Sequence, residues 1–205
     1  MSEYERMLAG KLYIANDLEL NELHAKCFEY MAEFNKLPFD YQQKQNVLKK
    51  WFKSIGNNSM IIPPLYCDYG CNVSVGDNFY ANMDCIFLDV NEIIIGNRVL
   101  LGPRVSIFTA GHPIDKDVRN TGLEYGHKVI IGDDVWIGGN TVINPGVTIG
   151  SNVVIGSGSV VTKDIPSDCI AYGNPCRVAR KITKNDKDYW TKEMMLYYED
   201  KKINK

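Results

Sequence analysis

The stretch IGDDVWIGGNTVINPGVTIGSNVVIGSGSVVT, residues 131–162, returns an aliphatic side chain at every sixth position. A helix would scatter these side chains around its axis, and the glycines and the Asn-Pro pair would interrupt a long flat strand. A coil of three short strands per turn fits the period, because each aliphatic side chain then points inward and stacks on its equivalent in the next coil. The period therefore predicts a parallel β-helix with inward positions at Ile131, Ile137, Ile143, Ile149, Ile155 and Val161.

Glycine follows four of these six aliphatic residues, and the pairing recurs less regularly upstream, at Val75-Gly76, Ile95-Gly96 and Leu101-Gly102. Because glycine tolerates a positive φ, we expect these glycines to form the tight corners between strands. One coil cannot bury its own apolar face, so several coils must stack. The hexads predict a β-helix domain over residues 59–166.

Composition and charge narrow the class of protein. The chain has 205 residues, of which 45% are hydrophobic, and this suits one main domain with appendages. Its net charge of -2 gives no electrostatic attraction to nucleic acid or to an acidic membrane. No apolar run reaches the length of a membrane span, and the N-terminal residues lack the apolar core of a signal peptide, so we expect a cytoplasmic protein. The six cysteines fit reduced, buried thiols, and Cys67 and Cys71 lack the partners of a zinc site.

The two ends of the chain differ from the coil. Apolar residues recur at helical spacing over residues 20–34 and again over residues 47–55, which predicts an N-terminal helical cap over residues 1–58. Asp17 has the position of an N-cap and Gly56 that of a C-cap. Residues 167–205 form a C-terminal segment, and the tail after residue 184 predicts a short helix with Trp190, Met194, Tyr197 and Tyr198 at helical spacing.

The hexads stop between residues 108 and 130, where a polar loop is inserted. Long loops on rigid scaffolds are disproportionately functional. His112 lies at the start of this loop, and Gly111 and Pro113 on either side restrict its backbone. A lone histidine is often structural, but this junction makes His112 the candidate catalytic residue. His24 is expected on the surface of a predicted helix.

Several motifs carry a resemblance to a known family. They are AGKLYIANDLEL (9–20), NFYANMDC (78–85), TAGHPID (109–115), VWIGGNTVINPGVTIG (135–150), GSVVTKDIP (158–166) and GNPCRVARKI (173–182). Together they closely resemble the maltose and galactoside O-acetyltransferases, which are hexapeptide-repeat acyltransferases of the thiogalactoside transacetylase group. The resemblance implies a left-handed β-helix, although the general rule for parallel crossovers favours the right-handed coil. It also implies a homotrimer, with acetyl-CoA between adjacent coils and His112 supplied by the neighbouring subunit.

The resemblance further implies direct transfer of an acetyl group from acetyl-CoA to a hydroxyl of a maltose- or glucose-like sugar, with no metal. His112 would act as general base, and an N–H near Gly139 would stabilise the oxyanion. Apart from the resemblance, Glu124 lies in the same inserted loop and is a candidate to orient His112 through a hydrogen bond. The residues implied to line the sugar pocket are Asp17, Asp68, Asn82 and Asp89. The residues implied to contact the cofactor are Trp136, Gly139, Ser157, Thr162, Lys163, Arg177 and Arg180.

Three other functions compete with this interpretation. A β-helical carbonic anhydrase needs three zinc-binding histidines, and His24, His112 and His127 lack the required spacing. A catalytically silent trimerisation module fits the coil, but His112 and the cationic segment after the coil argue against it. An acyltransferase of the same family that acts on an amino group or another hydroxyl is the closest alternative.

Overall fold

The chain winds into a parallel β-helix with three faces in the computed structural model, which describes residues 1–38 and 40–203. Elements are numbered in chain order. The first sheet contains β2 (Ser54–Ile55), β5 (Val73–Val75), β8 (Ile93–Ile95), β13 (Val129–Ile131) and β16 (Thr148–Ile149). The second contains β3 (Met60–Ile61), β6 (Tyr80–Ala81), β9 (Leu100–Leu101), β14 (Trp136–Ile137), β17 (Val153–Ile155), β19 (Cys169–Tyr172) and β20 (Arg177–Lys181). The third contains β4 (Leu65–Cys67), β7 (Cys85–Leu88), β10 (Ser106–Phe108), β15 (Val142–Ile143) and β18 (Val160–Val161).

The register of these sheets confirms the predicted stacking. Ile131 pairs with Ile149 in the first sheet, Ile137 pairs with Ile155 in the second, and Ile143 pairs with Val161 in the third. All six side chains are at most 1% exposed. Three hexads therefore make one coil, and the aliphatic column of each face forms the core.

The upstream coils are longer, which explains why their hexads are harder to see. In the first sheet, Ile55 pairs with Val75 and Val75 pairs with Ile95, at steps of twenty residues rather than eighteen. The inward side chains still align, so the extra residues are absorbed at the corners. Phe79 and Phe87 are buried in this wider part of the core.

The prediction that the hexad glycines supply positive φ at the corners is wrong. The corner residues with positive φ are mostly Asn, Asp and Arg, such as Arg98, Asp134 and Asn152, whereas Gly138 has no positive φ. A Cβ on Gly138 would lie 2.5 Å from the Ser157 backbone nitrogen in the next coil. This glycine is therefore required by the close approach of two coils rather than by backbone conformation.

Three helices form the N-terminal cap, namely α1 (Glu3–Leu8), α2 (Leu18–Lys36) and α3 (Tyr41–Trp51). Asp17 and Asp40 are the N-caps of α2 and α3, and the Asp17 side chain accepts hydrogen bonds from the backbone of Glu19 and Leu20. The prediction that the helix corresponding to α3 extends to residue 55, with Gly56 as its C-cap, is wrong. The helix ends at Trp51, and Ser54–Ile55 is the first strand of the coil.

The coil therefore begins a few residues before position 59 and continues past position 166, because β19 pairs in parallel with β17. The inserted loop contains α4 (Lys116–Arg119) and the strands β11 (Ala110–Gly111) and β12 (Leu123–Gly126), which form an antiparallel sheet with β1 (Tyr13–Ile14). The C-terminal tail forms α5 (Lys184–Ile203), and the last two residues of the tail lie outside the described residues. No helix within the described ranges is long and apolar enough to cross a membrane.

Candidate active site

The small antiparallel sheet fixes the position of His112. β11, which directly precedes His112, pairs with β12 through Ala110–Gly126 and Gly111–Tyr125. β12 pairs on its other edge with β1, so that Glu124 lies opposite Tyr13. The N-terminal segment and the inserted loop thus form one structural unit beside the coil. The His112 side chain is 57% exposed and accessible to a ligand.

Glu124 lies between His112 and Tyr13. One carboxylate oxygen, Oε1, is 3.9 Å from His112 Nδ1, and the other, Oε2, accepts a 3.0 Å hydrogen bond from the Tyr13 hydroxyl. Burial and the nearby Glu124 carboxylate raise the pKa of Tyr13, so the phenol stays protonated and remains a donor. The carboxylate is therefore held by one side chain while it faces the imidazole of another.

Asp68 lies at the corner of the coil that follows the third sheet, directly after β4. Its Oδ1 is 3.0 Å from His24 Nε2, and the His24 ring packs between Phe28 and Tyr69, with centroids 4.9 and 5.5 Å away. Burial raises the pKa of Asp68, His24 opposes that rise, and the charge of Glu124 adds to it. The charges of Asp68 and Glu124 therefore interact. The sequence predicts only that His24 lies on the surface of a helix, so its contact with Asp68 is missed.

Asp89 lies behind this cluster with no exposed surface. Its carboxylate accepts hydrogen bonds from the backbone N–H groups of Asp68, Tyr69 and Asn72. Burial raises its pKa to about 7, although the hydrogen bonds from Tyr69 and Asn72 oppose the shift. In this conformation a sugar cannot reach Asp89, which instead supports the loop that carries Asp68.

The other two residues implied for the sugar pocket are Asp17 and Asn82. Asp17 uses its side chain to cap α2. Asn82 follows β6, at the corner between the second and third sheets, whereas Asp68 follows β4 of the third sheet and His112 follows β11, in the loop inserted after β10 of that sheet. One chain brings together His112, Glu124 and Asp68, but it does not bring Asn82 to them.

The implied cofactor residues also divide between two corners. Gly139 and Ser157 follow β14 and β17, and are stacked at the corner that carries Asn82, since the Gly158 N–H donates to Gly139 O. Within the described part of the chain, the Gly139 N–H donates to no protein acceptor. Thr162 and Lys163 follow β18, at the corner that carries His112.

The remaining implied cofactor residues lie on or beside the second sheet. Trp136 points outward from β14 and is 55% exposed. Arg177 and Arg180 are exposed on β20, and Arg180 donates two hydrogen bonds to Asp186, at 2.8 and 2.7 Å. Among the described residues, no group of three or more His, Cys, Asp and Glu side chains forms a metal-binding cluster.

Comparison with known proteins identifies the family. The model of the maltose acetyltransferase hexapeptide capping motif matches residues 6–56, and that of the bacterial transferase hexapeptide (six repeats) matches residues 128–163. The galactoside O-acetyltransferase of Escherichia coli is 43% identical, over 92% of this chain and 94% of its own length. The chain belongs to the maltose and galactoside O-acetyltransferase family.

Two solved structures extend this family assignment to the fold. A maltose O-acetyltransferase from Clostridium difficile 630 is 53% identical, with a TM-score of 0.88 over 89% of this chain and 98% of the other. A galactoside acetyltransferase in complex with coenzyme A is 42% identical, with a TM-score of 0.88 over 91% of this chain and 94% of the other. The predicted left-handed β-helix of this acetyltransferase family is confirmed.

Proposed function

We propose that this protein transfers an acetyl group from acetyl-CoA to a hydroxyl group of a sugar, with His112 as general base. The observation that carries the proposal is the arrangement of an accessible His112 imidazole, 3.9 Å from a carboxylate that Tyr13 holds from the other side. The family supplies the reaction class. The similar structures of a maltose O-acetyltransferase and of a coenzyme A complex support the acceptor and the donor.

In the proposed mechanism, the sugar hydroxyl attacks the thioester carbonyl while His112 takes the hydroxyl proton. The negative charge that develops on the carbonyl oxygen needs a fixed donor, and the N–H of Gly139 has no protein acceptor within the described residues. When the tetrahedral intermediate collapses, the C–S bond breaks and the imidazolium returns its proton to the CoA sulfur. Glu124 would stabilise the imidazolium in between.

We further propose that the active site lies between copies of a homotrimer. His112 and Asp68 lie at one corner of the coil, whereas Asn82, Gly139 and Ser157 lie at another. If the corner that carries Gly139 in one copy faces the corner that carries His112 in the next, both halves of the site meet. Asp68 and Asn82 would then contact the sugar from opposite sides, and Asp17, which follows β1 of the small sheet beside His112, would be a further contact. The expected cytoplasmic location stays a prediction.

A panel of acceptors assayed with acetyl-CoA for thiol release tests the reaction. Maltose, glucose and a galactoside should be acetylated, whereas amino acceptors matched in size should react much more slowly. Turnover with the amines alone would favour the alternative acyltransferase. His112→Ala should lower acetyl transfer by roughly 10²–10⁴-fold and leave CoA binding intact. Normal turnover by this variant would exclude His112 as the base.

A further inference from the structure

A cleft of about 820 Å³ lies between the second sheet and the C-terminal helix α5. One wall is the outward stripe Trp136, Val154 and Ile170, whose members pair in register on three successive strands. The opposite wall includes Trp190 and Met194 of α5. The cleft has the volume of a small-molecule site, with an aromatic and aliphatic wall on the sheet and a helix wall that adds polar side chains to Trp190 and Met194.

Basic side chains surround this apolar cleft. Arg180 is paired with Asp186, and Lys184 is paired with Asp188 at 2.6 Å. Lys187, which also lines the cleft, forms no ion pair with any residue that the structure describes. The cleft therefore offers two indole rings and an unpaired ammonium group, a combination that suits an aromatic ring carrying a phosphate.

Two of the lining residues, Trp136 and Arg180, are already implied to contact the cofactor, whereas α5 lies beyond both family-model matches. We propose that α5 completes the binding site for the nucleotide end of CoA. The adenine ring stacks against Trp190 on the helix side of the cleft, and Lys187 binds a phosphate of the same nucleotide. This inference rests on the proposed use of acetyl-CoA as donor.

Calorimetric titration of CoA and of 4′-phosphopantetheine, which lacks the adenosine part, tests the inference without any acceptor. Trp190→Ala should raise the Kd for CoA roughly tenfold, as expected for the loss of one stacked base, and should leave the Kd for 4′-phosphopantetheine unchanged. Tyr198→Ala is the matched control, because Tyr198 is an exposed aromatic residue of α5 that does not line the cleft. Lys187→Gln should weaken CoA binding and have no effect on 4′-phosphopantetheine.

The possible outcomes separate this inference from the proposed function. If wild-type protein binds CoA and Trp190→Ala binds it equally well, α5 has no role in nucleotide binding and the inference is wrong. An equal loss for both ligands would also overturn it. If Trp190→Ala changes only the molar mass in sedimentation, the cleft is occupied by a second copy of the chain instead. Failure of the wild-type protein to bind CoA would refute the donor and, with it, the inference. Since Trp190 is 67% exposed, its replacement leaves the core intact.

Discussion

His24 Nε2 lies 3.0 Å from Asp68 Oδ1, so a residue of the N-terminal cap holds a candidate sugar-binding carboxylate on the coil. The ring is fixed by Phe28 on its own helix and by Tyr69, the neighbour of Asp68. From behind, Asp89 accepts a hydrogen bond from the Asp68 backbone N–H. The side chain and the backbone of Asp68 are thus positioned by different partners.

We expect His24→Ala to raise KM for the sugar acceptor roughly fivefold and to change kcat by less than about twofold, because a partly exposed hydrogen bond to a charged group is lost while His112 is untouched. Initial rates over a range of sugar concentrations, at saturating acetyl-CoA, measure both constants. His127→Ala is the control, since His127 has no contact with Asp68. A parallel fall in kcat would contradict a role in positioning Asp68 alone.

Removal of the Glu124 charge should slow the chemical step. In Glu124→Gln, kcat should fall on the order of tenfold, because the imidazolium that forms during transfer loses a nearby negative charge. Tyr13→Phe keeps the charge and removes one hydrogen bond, so its effect on kcat should be smaller. Initial rates at saturating acetyl-CoA and sugar measure kcat for both variants, and an unchanged kcat in Glu124→Gln would remove Glu124 from the mechanism.

The sequence predicted the coil well because the hexad reports directly on inward positions, such as Ile137 and Ile155, that stack in the structure. It predicted the end of α3 poorly, since Ile55 continues the helical stripe of α3 but belongs to a strand. Only contacts between coils decide whether Ile55 continues the helix or starts a strand. The pairing of His24 with Asp68 and the sheet that joins Tyr13 to Glu124 depend on residues far apart in the chain, and no local pattern encodes them.

Neighbouring glycines at one corner of the coil should respond differently to substitution. A Cβ on Gly138 would lie 2.5 Å from the Ser157 backbone nitrogen, which cannot move without displacing the next coil. We expect Gly138→Ala to lower the free energy of unfolding by about 1–3 kcal/mol, as overpacking does. A Cβ on Gly139 would lie 3.0 Å from Pro103 O, so Gly139→Ala should cost less than about 1 kcal/mol. Thermal and urea denaturation measure both, and equal costs would contradict this account of the corner.

The buried Asp89 carboxyl should make stability depend on pH. Its pKa is raised to about 7 by burial, whereas an unfolded chain releases this proton near its ordinary value of 3.8. Between these values the folded state binds more protons than the unfolded state, so stability falls as pH rises from about 4 to about 7. Asp89→Asn removes this titration but keeps an oxygen that can accept hydrogen bonds from Asp68 and Tyr69. We therefore expect the Tm of wild-type protein to decline more steeply than that of Asp89→Asn across this range in thermal scans. Because the other titrating groups are common to both proteins, parallel Tm curves would mean that Asp89 is ionised in the folded state throughout.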